Sequence, residues 1–219
     1  MELEKIKSEI KRCQKCLDLV KSRTQAVPGY GDSKAKVLFV GLAPGREGAD
    51  LTGVPFTRDK SGVLFQETLI RTGFSEEKNP KNEKPNLKRA FLTNIVKCNP
   101  KRWDKAGRVR NRNPTRNEIE NCRHFLEKEL KALNPKVIVP LGRESTKLVC
   151  RELNVNCPST WKKEIKVGDI VIFPVYHPAF IVRGGGKQKY TREEYQKDFE
   201  KLSRMITGLG NSRSTSRRA

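Results

Sequence analysis

The chain of 219 residues lacks long apolar runs and has only two histidines. Its apolar segments, such as residues 37–40 and 137–139, are far shorter than the roughly 20 residues that a membrane-spanning helix needs. The charged N-terminus also lacks the apolar core of a secretory signal. We therefore expect a cytoplasmic protein with no membrane partner. The scarcity of histidine, together with the lack of clustered carboxylates, argues against a zinc nuclease.

Negative charge is also scarce. The chain has 25 acidic against 46 basic residues, which gives a net charge of +21 and an isoelectric point near 10.0. Such an excess creates a field that attracts polyanions, and the release of counterions from phosphates would supply binding affinity. This balance predicts a nucleic-acid partner; a general solubility adaptation is the alternative.

The six cysteines do not suggest a disulfide framework, because disulfides are rare in intracellular proteins. Cys13 and Cys16 form a C-x-x-C pair, while Cys98 and Cys122 stand alone on either side of a basic segment. Four thiolates suit zinc or a four-iron cluster. A zinc ribbon would contain a second close pair, so the pattern favours the cluster without excluding zinc. Cys150 ends an apolar helical face and is expected in the core.

Apolar strands alternate with helices along the chain. The strands are predicted at residues 35–40, 90–96, 136–141 and 170–175. The helices are predicted at residues 3–21, with a break at the C-x-x-C pair, and at 61–72, 114–133, 144–153 and 191–206. This order predicts a three-layer α/β/α fold with a central, mainly parallel four-stranded sheet. We expect one domain over residues 1–210, a loop at 99–116 and a disordered basic tail at 211–219.

Three of the predicted strands end in conspicuous polar or tight-turn residues. These ends are the Gly41–Gly45 loop, Asn94 and the His177-Pro178 pair. Ligands of parallel sheets bind at the carboxyl ends of the strands, so the three ends predict one active site. The Gly41–Gly45 loop matches neither the phosphate-loop pattern nor the dinucleotide-binding pattern.

Three motifs together carry a resemblance to a known family. They are Gly41-Leu-Ala-Pro-Gly45 with its continuation to Thr57, Phe91-Leu-Thr-Asn94 with its continuation to Pro100, and Val175-Tyr-His177-Pro178. In this order they resemble the uracil-DNA glycosylase superfamily, and the match runs from Cys13 to about Arg183. The cysteines fall where the iron–sulfur branches carry four ligands of a [4Fe-4S] cluster. The resemblance thus implies that Cys13, Cys16, Cys98 and Cys122 bind this cofactor.

Two branches of the superfamily compete for the resemblance. Family 4 enzymes begin the first motif with Gly-Glu-Ala-Pro-Gly, whereas the second residue here is Leu42. Family 5, the type-b branch, has Gly-Leu-Ala-Pro followed by Thr-Gly-x-x-Phe-Thr-Gly-Asp-x-Ser-Gly, which resembles residues 52–62. We therefore expect family 5, with a uracil-only family 4 enzyme as the alternative. Gly45, Arg46 and Ala179 depart from the family 5 pattern, which bears on substrate range.

The resemblance also implies roles for the site residues. Phe56 is expected to stack on the extruded base, and Asn94 to match N3–H and O4 of uracil. Ala43 and Gly45 are expected to line the substrate site beside them. His177 would stabilise charge on uracil O2 as the bond breaks. Asp50 would orient the attacking water and stabilise the cation-like sugar.

The implied activity is hydrolysis of the N-glycosidic bond of uracil in DNA by base flipping, which leaves an abasic site. Hypoxanthine and xanthine extend the expected substrate range, and the DNA partner places the protein at the nucleoid as a monomer. No motif predicts a protein partner such as a replication clamp. A non-catalytic iron–sulfur protein that binds nucleic acid on the same fold is the alternative.

Several residues are expected to contact DNA. Phe180 and Ile181 are candidates for a wedge that fills the space of the flipped base, although both could instead cap the core. The other predicted contacts are polar or basic residues that would meet phosphates: Ser61, Lys101, Arg102, Lys105, Arg108, Arg110, Arg112 and Arg183.

Overall fold

A computed structural model of the chain describes residues 2–158, 163–185 and 190–211. Its strands are β1 (Tyr30–Gly31), β2 (Val37–Gly41), β3 (Ala90–Asn94), β4 (Lys101–Trp103), β5 (Val109–Asn111), β6 (Val137–Pro140), β7 (Ile165–Val167) and β8 (Ile170–Ile172). Six of them form the central sheet in the order β1-β3-β2-β6-β8-β7. The four inner strands are mutually parallel, as predicted. The predicted three-layer α/β fold is confirmed.

The sheet has six strands rather than the predicted four. β1 adds to β3 and β7 adds to β8, both in antiparallel orientation. These edge strands contain two and three residues, and their side chains are not fully buried. Because they carry no continuous apolar run, the apolar pattern that reveals the inner strands does not reveal them.

The helices are α1 (Glu2–Arg12), α2 (Leu17–Ser22), α3 (Ala49–Thr52), α4 (Lys60–Arg71), α5 (Arg116–Leu133), α6 (Arg143–Glu152), α7 (Pro178–Val182) and α8 (Arg192–Asn211). The predicted helices are confirmed, including the break at the C-x-x-C pair between α1 and α2. Thr115 and Glu118 form a capping box that begins α5. The short helices α3 and α7 were not predicted, because four or five residues are too few to show a helical period.

Hydrophobic clusters cover both faces of the sheet. In β2, Leu38 and Val40 belong to the cluster beneath α1 and α5, whereas Val37 and Phe39 belong to the cluster beneath α4 and α8. The Phe39 ring stacks on Phe199 of α8 at a centroid distance of 5.7 Å. The strand is therefore buried on both sides, which explains its continuous apolar run. Cys150 is buried in the first cluster, as expected.

Residues 99–116 do not form a simple loop, which corrects the prediction. They contain the two-stranded hairpin of β4 and β5, in which Trp103 pairs with Val109 and Arg102 with Arg110. Both strands are polar and largely exposed, so the sequence shows no apolar alternation. Residues 212–219, most of the predicted disordered tail, lie outside the described residues. No helix in the described ranges is long and apolar enough to span a bilayer.

Candidate active site

A cavity of about 330 Å³ lies at the carboxyl edge of the sheet. The loop after β2, the end of β3, the base of the β4–β5 hairpin and the N-terminus of α7 surround it. The structure thus brings most predicted site residues together, as the strand-end argument requires. The predicted residues that line the cavity are Ala43, Gly45, Phe56, Ser61, Asn94, Arg112, His177 and Arg183.

Phe56 enters the cavity from a strained backbone. Its φ angle of 57° is in the left-handed region, where a bulky side chain costs conformational free energy. Residues in such strained conformations are often found at functional sites. The buried side chain of Gln66 holds this conformation by donating a hydrogen bond to the Phe56 carbonyl at 2.9 Å. Gly62 also approaches closely, since a Cβ there would lie 2.9 Å from the Phe56 carbonyl carbon. The surrounding structure therefore fixes the orientation of the Phe56 ring.

Asn94 ends β3 and is only 2 % exposed. Its Oδ1 lies directly against Gly41, where an added Cβ would come within 2.4 Å of this oxygen and 2.5 Å of the Phe56 ring. Gly41 is thus required because two cavity side chains press on its Cα. No described residue hydrogen-bonds to the Asn94 amide, so its donors and its acceptor are available to a ligand.

A buried ion pair supports Asn94 from below. The Lys97 ammonium donates to the Asn94 carbonyl, the Thr93 hydroxyl and the Glu129 carboxylate at 2.7, 2.6 and 2.7 Å. The Lys97 and Glu129 side chains are only 1 % and 2 % exposed. Glu129 also accepts from the Gly29 amide at 3.2 Å. We did not identify this pair from the sequence, although a lysine after the apolar Ile95-Val96 pair is the signal that reveals it.

His177 is the N-cap of α7, and its Nδ1 accepts a hydrogen bond from the Ala179 amide at 3.1 Å. A ring nitrogen that accepts carries no proton, so the neutral ring has its proton on Nε2. Burial lowers the pKa of His177 to about 4, an effect that the negative charge of Asp59 partly opposes. The ring is therefore a neutral hydrogen-bond donor at physiological pH.

Asp50 does not have the predicted position, which is a correction. Its carboxylate is fully buried, is absent from the cavity lining and contacts Lys101 Nζ at 2.8 Å. It also accepts from the Thr24 amide at 3.1 Å and from the Thr24 hydroxyl at 2.9 Å. These contacts occupy both oxygens, so the carboxylate holds the chain together instead of facing a substrate.

Asp59 lines the cavity and was not predicted. As the N-cap of α4, its Oδ1 accepts from the Gly62 amide and from the Ser61 hydroxyl, both at 2.7 Å. The Asp-Lys-Ser-Gly sequence after Phe56 is a recognisable capping signal. A capping residue is usually structural, so the sequence gives no reason to place this one in the cavity.

The β4–β5 hairpin is tied to the cavity wall. The Asn99 amide donates to the Pro44 carbonyl at 2.5 Å and to Asn111 Oδ1 at 3.0 Å. The Asn111 oxygen also accepts from the Arg46 amide at 3.1 Å. These bonds join the hairpin base to the loop that follows β2, so the hairpin extends from the rim of the cavity.

The basic side chains predicted to contact DNA fall into two groups, those that bind groups of the protein itself and those that are exposed to solvent. Lys101 and Arg112 are occupied, because Lys101 binds Asp50 and the Ser22 carbonyl while Arg112 forms a bidentate pair with Glu118. This corrects their assignment to phosphate binding. Four predicted basic residues of the hairpin are exposed, and beside them the Trp103 side chain is 63 % exposed. The four are Arg102, Lys105, Arg108 and Arg110.

The proposed wedge residues lie on α7 instead of on a loop. Ile181 is only 6 % exposed and belongs to the core, which corrects its assignment as a wedge. Phe180 is partly buried and stacks on Tyr176 at a ring distance of 4.6 Å. Of the two candidates, therefore, only Phe180 has appreciable solvent-exposed side-chain surface that DNA could contact.

The four predicted cluster cysteines meet in one region between α1, α2 and α5. Cys98 and Cys122 are buried, and Cys13 and Cys16 pack against the same core. Burial raises the pKa of Cys98, with Arg23 opposing the shift and the thiols of Cys13 and Cys16 adding to it. The Arg23 guanidinium donates to Cys98 Sγ at 3.1 Å.

Four thiols in one region are a donor set that a four-iron cluster can use. Within the described ranges, no three His, Cys, Asp or Glu side chains are close enough to hold one metal ion. A four-iron cluster spreads its four thiolates over four irons, so its ligands stand further apart than those of one tetrahedral zinc. The hydrogen bond from Arg23 would offset the negative charge that such a ligand set carries.

A base-sized cavity with an amide, a neutral imidazole and a phenyl ring is typical of an enzyme that extrudes nucleobases. The family model of the uracil DNA glycosylase superfamily matches residues 28–202. The chain therefore belongs to this superfamily of enzymes. A solved structure of Pedobacter heparinus SMUG2 shares the fold, with a TM-score of 0.57 at 18 % identity over 81 % of this chain and 77 % of that one.

Curated relatives refine this result. The chain is 36 % identical to a type-4 uracil-DNA glycosylase of Sulfurisphaera tokodaii, over 89 % of this chain and 82 % of the relative. It is 34 % identical to the type-4 enzyme of Archaeoglobus fulgidus, over 93 % and 92 %. A type-5 enzyme of Pyrobaculum aerophilum is 30 % identical over 70 % and 65 %. The expected preference for family 5 is therefore not supported.

Proposed function

We propose that the protein hydrolyses the N-glycosidic bond of uracil in DNA and leaves an abasic site. The observation that carries this proposal is the convergence of Asn94, His177 and Phe56 on one cavity. The type-4 and type-5 relatives, which bear the name uracil-DNA glycosylase, support the same substrate.

The cavity residues match the hydrogen-bonding groups of uracil. An amide presents one acceptor and two donors, so Asn94 can accept from N3–H and donate to O4. Cytosine presents an acceptor at N3 and a donor at C4, the reverse pattern. Phe56 would stack on the base, at about 1–3 kcal/mol of affinity.

His177 would assist departure of the base. As the bond between C1′ and N1 breaks, negative charge develops on O2, and a neutral Nε2–H can donate a hydrogen bond to it. A fixed donor that faces developing charge is one of the strongest contributions to catalysis. The hydrogen bond from the Ala179 amide keeps the donor proton on the correct nitrogen.

The four cysteines would hold a [4Fe-4S] cluster with a structural role. Cys13 and Cys16 lie at the junction of α1 and α2, Cys98 precedes the hairpin and Cys122 lies on α5. Bound at these residues, the cluster would join the N-terminal helices to the base of the hairpin. None of these four cysteines lines the cavity that holds Asn94 and His177, which do the chemistry in this proposal.

The subtype proposal follows from one cavity residue. The chain matches type-4 relatives over the larger share of its length, yet Leu42 lines the cavity where family 4 enzymes have Glu in Gly-Glu-Ala-Pro-Gly. We place the protein nearest to type-4 enzymes, with a first motif that lacks their carboxylate. Such a cavity needs its carboxylate from another position.

Excision from defined oligonucleotides tests the proposed activity. The wild-type protein should release uracil from DNA, while Asn94→Ala should slow release at least about 100-fold because it removes the recognition amide. Asn86→Ala, at an exposed residue that does not line the cavity, is the matched control and should retain full activity. Oligonucleotides with hypoxanthine or xanthine measure substrate breadth. A wild-type protein that binds DNA without releasing any of these bases would refute the proposal.

A further inference from the structure

In glycosidases a carboxylate commonly orients the attacking water and stabilises the cation-like sugar. Neither expected source supplies it, because Asp50 is bound to Thr24 and Lys101 and the family 4 glutamate position is Leu42. Asp59 is the one carboxylate among the described residues that line the cavity. On the basis of the proposed function, we propose that Asp59 is the catalytic carboxylate of this enzyme.

The two oxygens of Asp59 have different environments. Oδ1 is fixed at the N-terminus of α4 by the Gly62 amide and the Ser61 hydroxyl. No described residue donates a hydrogen bond to Oδ2. One oxygen therefore anchors the group, while the second remains available for a water molecule in the cavity.

The loop after β2 is shaped around this second oxygen. An added Cβ at Gly45 would lie 2.9 Å from Asp59 Oδ2, and one at Gly48 would lie 2.7 Å from it. Both distances are too short for a side chain. Among the described residues, Asp59 is the one group that excludes a Cβ at Gly45, whereas at Gly48 the Thr57 carbonyl, also at 2.7 Å, excludes it as well. The contact with Asp59 thus explains glycine at Gly45, where family 5 has an alanine.

Asp59 and His177 act on opposite partners of the breaking bond. The bond between C1′ and N1 breaks, and its electron pair leaves with the base, whose O2 accepts a hydrogen bond from His177 Nε2–H. The water oxygen bonds to C1′, and the water proton passes to Asp59 and then to the departing base. The products are neutral uracil and an abasic sugar, so atoms and charge balance.

The conservative variant Asp59→Asn separates catalysis from helix capping. Its amide oxygen can still accept from Gly62 and Ser61, but the negative charge is lost. The single-turnover rate of uracil release should fall at least about 100-fold, with melting temperature and oligonucleotide Kd close to wild type. Ser61→Ala is the matched control, because it removes one contact to Oδ1 and keeps the charge. It should lose less than about tenfold in rate.

A substrate with a better leaving group distinguishes the two catalytic residues. 5-Fluorouracil leaves as a more stable anion, so it should recover much of the rate of His177→Ala but little of the rate of Asp59→Asn. An Asp59→Asn enzyme that keeps more than a third of the wild-type rate would show that Asp59 only caps α4. A loss accompanied by a lower melting temperature would also overturn the assignment. Failure of the wild type to release uracil would instead refute the proposed function.

Discussion

His177 combines a position in the cavity lining with an unusual protonation state. Its pKa is lowered to about 4 by burial, below the ordinary value of about 6.5, so the ring stays neutral down to about pH 4. The rate of uracil release should therefore show no acid limb from His177 between pH 5 and 8. Single-turnover rates across this range test the expectation, and His177→Ala should lower them about 100- to 1000-fold.

The histidine also links stability to pH. Between about pH 6.5 and 4 the unfolded chain binds a proton at this position and the folded chain does not, so His177 lowers the stability as pH falls through that window. His124, the other histidine, does not line the cavity, and His124→Ala serves as the control. A rate that falls tenfold per pH unit below 6.5 only when His177 is present would contradict a neutral ring.

The sequence predicts the ligand-facing residues better than the supporting ones. Asn94 and His177 each lie near the end of a predicted strand. The parallel strands bring both residues to the same edge of the sheet, and this does not depend on the conformation of the loops. The carboxylates could not be assigned in this way. Asp50 and Asp59 lie in the same glycine-rich region, and only the packing of Thr24 and Lys101 shows that Asp50 is enclosed.

The β4–β5 hairpin combines exposed arginines with an exposed aromatic side chain, so its charge and its stacking can be tested separately. Replacing Arg102, Arg108 and Arg110 with Gln should weaken DNA binding and lower the slope of log K against log salt by about two to three units. Trp103→Ala should weaken binding to single strands through lost stacking and leave the slope unchanged. Fluorescence anisotropy titrations at several salt concentrations measure both effects.

Asp104 is part of this design, because it contacts Arg108 at 3.0 Å and Arg110 at 3.4 Å in the free protein. These exposed pairs are weak and can yield to phosphates. If the triple variant has the wild-type salt slope, the hairpin faces solvent in the complex and the basic charge acts elsewhere.

Two residues of helix α7, Phe180 and Ile181, allow a test of whether the protein opens duplex DNA. Phe180→Ala should slow release of uracil from a duplex far more than from a single strand. Flipping a base out of a duplex costs a few kcal/mol of unstacking, and a base in a single strand has little of this cost. Ile181→Ala is the packing control, since Ile181 is buried in the core. It should lower the melting temperature and affect both substrates alike. Equal losses on both substrates for Phe180→Ala would assign Phe180 to packing against Tyr176.

Element prediction succeeded where burial leaves a pattern in the sequence. The four inner strands are buried on both faces, so each appears as a continuous apolar run. The hairpin and the edge strands are held by backbone pairing while their side chains stay exposed, which leaves no periodic signal. For the same reason, the sequence predicts a loop for the basic segment at residues 99–116.

The proposed cluster concerns the molecule as a whole, because its ligands come from four separate places in the chain. Protein purified without oxygen should be brown, with a broad absorption near about 400 nm and roughly four irons per chain. Cys13→Ser should lose iron and lower the melting temperature, because α1 and α2 lose the link that the cluster adds to their packing on α5. Cys157→Ser, at an exposed cysteine, should leave iron content unchanged. A colourless protein with one zinc per chain would contradict the cluster.

The buried pair of Lys97 and Glu129 also constrains how this enzyme can evolve. Loss of either partner strands a charge in the core at a cost of about 3–5 kcal/mol, a large part of the 5–15 kcal/mol that stabilises a typical domain. Replacing the pair without an unpaired buried charge needs two substitutions, and either single substitution alone is strongly destabilising. The two positions should therefore change together among descendants of this sequence. Lys97 also donates to the carbonyl of Asn94, so loss of the pair should also disturb the residue that we propose to recognise uracil.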